Sequence, residues 1–63
     1  MSEADFVGKI IGKDVEEKAI MKAFKGTSSR VIHPGDMVTM DYMPTRVNID
    51  VNESNVIQRI YLA

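Results

Sequence analysis

Two pairs of polar side chains stand close together in this chain: Thr39 and Asp41 on either side of Met40, and Arg46 and Asn48 a few residues later. In an extended backbone successive side chains alternate, so Thr39 and Asp41 project to one side and Met40 to the other, while Arg46 and Asn48 share one face of the segment that follows. If the chain folds back between the pairs, an arginine fork and an amide meet a hydroxyl and a carboxylate, giving charge-assisted bonds on both sides of Met40. The competing reading is an ordinary solvated salt bridge worth about 0–1 kcal/mol. Spacing alone favours that blander reading.

The remaining reactive side chains do not form catalytic sets. Gly8-Lys9 and Gly12-Lys13 superficially suggest a phosphate loop, but the glycine spacing is one residue short and Asp14 stands where a serine or threonine must bind magnesium. His33 is the only histidine and has no serine or cysteine motif around it, so a structural or exposed role is expected rather than catalysis. Asp36, Asp41, Asp50 and Glu53 lack the spacing of a calcium loop and read as solvated charges. Phe6, Phe24, Tyr42 and Tyr61 are too scattered for a base-stacking platform. The chain is therefore expected not to be an enzyme, and to need no metal or cofactor.

Composition narrows the class. Sixty-three residues allow one domain with one small core, since a chain of this size hides only about 60% of its unfolded surface. There is no cysteine, which removes both disulfides and thiolate metal sites as sources of stability. A net charge of -1 leaves no electrostatic footprint for nucleic acid or an anionic membrane surface. No segment approaches the ~20 apolar residues of a spanning helix. The opening Met1-Ser2-Glu3-Ala4-Asp5 lacks the features of a secretory signal, so the chain is expected to be cytoplasmic or a mature secreted form.

The elements that must position the polar pairs can be sketched. Residues 1–10 form an N-terminal arm whose Phe6, Val7 and Ile10 could dock on a core but show no period. Asp14, followed three residues on by Glu17, predicts a capped helix over 15–24, with Val15, Ala19, Ile20, Ala23 and Phe24 on one face and Gly26 as its stop. Residues 30–32 read as a strand. Residues 46–51 alternate with period two, which places Val47, Ile49 and Val51 on a buried face and Arg46, Asn48 and Asp50 on the other. Asn52-Glu53-Ser54-Asn55 is turn chemistry, and 56–61 should return as an antiparallel partner.

Residues 34–45, about a fifth of the chain, are left as a long excursion between strands and therefore as a candidate functional loop. Met37-Val38-Thr39-Met40-Asp41-Tyr42-Met43 is rich in methionine and could be a buried strand. Pro44 argues against that, because it would remove a donor from a central ladder. An exposed apolar loop is a surface made for a partner.

At these residues the chain resembles a known family. Ile11-Gly12-Lys13-Asp14-Val15-Glu16-Glu17 and the stretch from Gly35 through Ile49 are similar to the potato inhibitor I family of serine protease inhibitors, over most of residues 11–60. The specific part is Val38-Thr39-Met40-Asp41-Tyr42 followed by Arg46-Val47. Arg30-Val31-Ile32, Pro34-Gly35, Thr39-Met40-Asp41 and Arg46-Val47-Asn48 also resemble a related group of microbial elastase inhibitors.

The resemblance implies a small α/β (α+β) fold, one helix on a mixed sheet with a parallel strand pair bridged by an exposed reactive loop. It also implies that Met40-Asp41 is the reactive bond, that Met37, Val38, Thr39, Tyr42 and Met43 contact a serine protease of apolar primary specificity, and that Arg46 and Asn48 support the loop. The family commonly carries two supporting arginines; here the second is Asn48, where the elastase-inhibitor branch is similar to this chain. Ala63 replaces a usual C-terminal glycine, and the N-terminal arm is short. The domain is expected to act as a monomer. The competing expectation is a small interaction or scaffold domain whose methionine-rich loop binds some other partner.

Overall fold

A computed structural model describes residues 3–36 and 43–62. A single 3-10 turn at Glu3–Asp5 is followed by helix α1 (Glu17–Ala23) and strands β1 (Ser28–Ile32), β2 (Arg46–Val51) and β3 (Ile57–Leu62). The sheet order is β1-β2-β3. β1 runs parallel to β2, with Ser28 beside Arg46 and Ile32 beside Asp50. β3 returns antiparallel, with Val47 opposite Leu62 and Ile49 opposite Ile60, and an irregularity between Asp50 and Val51. This is the fold the resemblance implied. Its consequence for the loop is topological: a chain leaving Ile32 at the far end of β1 must travel back along the sheet to start β2 beside Ser28, a crossover that no tight turn can make.

The core is Phe6, Ile20, Val47, Ile49, Val51, Ile57 and Ile60. β2 alternates as its sequence demands, with Val47, Ile49 and Val51 turned into this core. β1 is longer than expected, because pairing with β2 recruits Ser28 and Ser29, which have no strand preference of their own. β3 is shifted one residue later than 56–61. The connection between β2 and β3 is closed by Asn52, whose Oδ1 accepts the backbone N–H of Ser54 and of Val56, both at 2.9 Å.

The helix is shorter than its sequence suggests. Asp14 does not cap it; the N-cap is Glu16, which makes no side-chain capping bond. The Asp14 carboxylate instead accepts the N–H of Ile10 at 3.0 Å, while the N–H of Asp14 donates back to Ile10 at 2.8 Å. An aspartate satisfies backbone amides in a turn as readily as at a helix start, and here the turn wins. At the other end the left-handed residue is Lys25, at φ 55, rather than Gly26. Lys25 N–H donates to Lys22 at 3.1 Å and Gly26 N–H to Met21 at 2.9 Å, the paired bonds of a helix C-cap. The apolar face centres on Ile20 and Phe24, so Met21 packs against the core and Ala19, expected there, is exposed.

The N-terminal arm has a definite place. Gly8 N–H donates to Ile57 at 2.9 Å, Ile57 N–H to Lys9 at 2.8 Å and Ile11 N–H to Asn55 at 3.0 Å, so the arm pairs antiparallel with the start of β3. It brings Phe6 into the core, with its ring 5.9 Å from that of Phe24. Backbone pairing needs no side-chain period, which is why none was visible.

Candidate functional site

The site is the crossover between the parallel strands and the elements that hold its two ends. Residues 37–42, and with them Met37, Val38, Thr39, Met40, Asp41 and Tyr42, lie outside the described residues. Met43, Arg46 and Asn48 lie within them.

The chain enters the crossover through a closed turn. Asp36 N–H donates to the His33 carbonyl at 3.1 Å, with Pro34 and Gly35 between them and Gly35 at φ 83. Proline followed by a left-handed glycine is what a type II turn requires. The Asp36 carboxylate also accepts the N–H of His33 at 2.9 Å and lies 3.5 Å from His33 Nδ1. His33 is thus a turn residue, half exposed to solvent.

The exit is closed as firmly. Arg46 N–H donates to the Met43 carbonyl at 3.0 Å, forming a turn through Pro44 and Thr45. Thr27 N–H donates to the Thr45 carbonyl at 2.9 Å, and Thr27 Oγ1 donates to Thr45 Oγ1 at 2.8 Å. Arg46 Nη1 approaches the Met43 sulfur at 3.9 Å. Met43 itself is exposed.

Arg46 and Asn48 alternate with the core-facing residues of β2 and so lie on the face away from α1. Both are buried, at 6% and 1% exposure. A solvated salt bridge would leave Arg46 open to water, so the blander reading of the polar pairs does not describe the arginine. Taking a guanidinium out of water costs several kcal/mol unless geometry and hydrogen bonds compensate. A strand that buries an arginine and an amide at its first and third residues is therefore organised around them. Tyr61 lies opposite Asn48 and Arg59 opposite Asp50, and the Arg59 guanidinium stacks over the Tyr61 ring at 4.8 Å. On the other face the Ser29 hydroxyl donates to Glu17, tying β1 to α1.

Sequence reasoning missed Thr27 and gave Thr45 no role. Gly26-Thr27 reads locally as a polar turn, and its contact with Thr45 crosses 18 residues of sequence, so nothing local marks it. Among the described residues no three metal-ligating side chains gather, and no helix is long and apolar enough to cross a membrane.

The crossover thus has both of its described stems fastened to a helix-and-sheet base. The chain belongs to the peptidase inhibitor I78 family, whose model matches residues 2–62. It is 46% identical over 56 residues to the elastase inhibitor AFLEI of Aspergillus flavus, covering 87% of this chain and 81% of that protein. The same identity holds with the elastase inhibitor AFUEI of Aspergillus fumigatus, of which the match covers 63%. The subtilisin inhibitor CLSI-I of Canavalia lineata is 38% identical over 52 residues, 81% of this chain and 80% of that one. A crystal structure of AFUEI superposes with a TM-score of 0.73 at 36% identity, covering 97% of this chain and 82% of the other. Of the two resemblances, the elastase-inhibitor branch is thus directly represented among the relatives. Membership of an inhibitor family accords with the expectation that this chain is not an enzyme.

Proposed function

We propose that the whole chain acts as one monomeric inhibitor domain, directed at serine proteases of the elastase, subtilisin and chymotrypsin kind. In this reading Met40-Asp41 is the reactive bond, Met40 fills the primary pocket, and Met37, Val38, Thr39, Tyr42 and Met43 occupy the flanking subsites. The observation that carries the reading is the burial of Arg46 and Asn48 directly after the loop, on the face of β2 that the core does not use. The named relatives, inhibitors of elastase and of subtilisin, support the choice of target.

The mechanism is rigidity. A peptide containing Met40 would be a substrate unless its cleavage were slow and reversible. If Arg46 and Asn48 hold Asp41 and Thr39, the loop is already in its bound conformation and the ordering that limits a flexible peptide's affinity is largely complete beforehand. After attack by the protease serine, the same bonds keep the new amine of Asp41 beside the acyl group, where high effective concentration favours resynthesis. The enzyme supplies the triad and the oxyanion hole. This chain supplies only position.

The test is titration of the purified protein against subtilisin, chymotrypsin, elastase and trypsin, with the mixtures then searched by mass spectrometry. Stoichiometric inhibition of the apolar-preferring enzymes, weak action on trypsin and one slow cut after Met40 are expected. Rapid digestion without inhibition would leave a scaffold domain with an inhibitor's fold.

A further inference from the structure

The exit stem of the loop is fastened to a segment that the inhibitory mechanism above does not use. Gly26 and Thr27 connect the end of α1 to β1, and they are anchored on one side by the bond from Gly26 N–H to Met21. On the other side they meet the stem three times. Thr27 N–H donates to the Thr45 carbonyl, Thr27 Oγ1 donates to Thr45 Oγ1, and the space that a side chain on Gly26 would need is taken by Val47 and the Thr45 carbonyl. A Cβ on Gly26 would fall inside the Val47 Cγ2 methyl and stand 3.0 Å from the Thr45 carbonyl oxygen. Gly26 is not at a positive φ, so it is the Val47 side chain first and the Thr45 carbonyl second, and not the backbone conformation, that leave no room for a side chain.

We propose that Gly26 and Thr27 are positioning residues of the inhibitory loop, setting from below the place at which the chain passes from Met43 into β2. This rests on the reading of residues 37–43 as the protease-binding segment. Because Arg46 N–H is committed to the Met43 carbonyl, the turn through Pro44 and Thr45 moves as a unit. Whatever fixes Thr45 therefore fixes the direction of the chain at Met43. After cleavage of the reactive bond, the fragment beginning at Asp41 would be retained through this stem, and a looser stem would let the new amine drift from the acyl-enzyme and raise net hydrolysis.

The test separates bond from bulk. Thr27→Val removes the hydroxyl donor and keeps the shape and the backbone N–H; Thr45→Val removes its acceptor; Thr27→Ser keeps the donor. Cleavage of the reactive bond by subtilisin should rise about fivefold in Thr27→Val and in Thr45→Val, the scale of one solvent-exposed neutral hydrogen bond. The double variant should be no faster than either single, since both remove the same bond, and Thr27→Ser should cleave at the parent rate.

Amide hydrogen exchange of Thr27 and Arg46 in the free variants gives a readout independent of any protease, and should quicken in both valine variants and not in Thr27→Ser. That exchange pattern in a parent that inhibits nothing would sink the inhibitor reading and leave the stem latch standing. Unchanged exchange and cleavage with only a lowered unfolding midpoint, or equal acceleration in Thr27→Val and Thr27→Ser, would overturn the proposal.

Discussion

Met40 is the residue on which target choice should turn. A flexible thioether adapts to irregular apolar pockets, which suits enzymes that accept large uncharged side chains and gives a trypsin-like enzyme nothing to pair with its pocket carboxylate. Met40→Lys should therefore weaken inhibition of subtilisin and gain inhibition of trypsin, each by tenfold or more, about the 1–3 kcal/mol or greater that one well-matched pocket contact provides. Inhibition constants against the two enzymes check it, and an unchanged ratio would remove Met40 from the primary pocket. The shared face of Arg46 and Asn48 was legible in the sequence, since alternation alone puts them on one side of β2. Their burial was not, because nothing local says what covers the outer face of a strand.

At the scale of elements, the bounds and the core face of the strand with strict alternation, Arg46–Val51, were readable because its apolar residues recur with period two. The helix start was misread for an equally physical reason: Asp14 can serve a turn or a cap, and only the position of Ile10 decides between them. The parallel pairing of β1 with β2 came from family resemblance and from no residue pattern. Asn52 offers a test of element-level independence. Its Oδ1 accepts two backbone amides at the tip between β2 and β3. Asn52→Ala should lower unfolding stability by about 1–2 kcal/mol, the scale of losing bonds to exposed amides. Inhibition constants should not move, because the affected turn is at the opposite end of β2 from Arg46. A parallel loss of inhibition would mean that the hairpin, too, holds the loop.

For the whole molecule, the stiffness proposed for the loop would have to come from packing, since the chain has no cysteine to staple it. Among the described residues seven buried apolar side chains form the core, three of them from β2, and Ile20 is the one buried residue of α1. Ile20→Ala should cost about 2–5 kcal/mol, a large share of the roughly 5–15 kcal/mol that holds a small domain together. Denaturant titration should show the lowered midpoint, and the variant should be digested by subtilisin faster than the parent as unfolded chains are drawn off. Digestion at the parent rate despite that loss would show that the loop is rigid independently of the core. The N-terminal arm contributes to the same core through Phe6 by pairing with β3, a contact that the arm's aperiodic sequence did not disclose.

The buried arginine at the head of β2 is what, in the proposed mechanism, makes the loop an inhibitor instead of a substrate. Arg46→Ala tests it most directly, by following cleavage of the Met40-Asp41 bond by subtilisin in parent and variant under conditions where both are folded. The variant should keep its helix and sheet by circular dichroism, be cut at that one bond at least tenfold faster, the factor that about 1.4 kcal/mol of lost restraint implies, and release active enzyme as it is consumed. A folded Arg46→Ala protein that is cut as slowly and inhibits as tightly as the parent would contradict it.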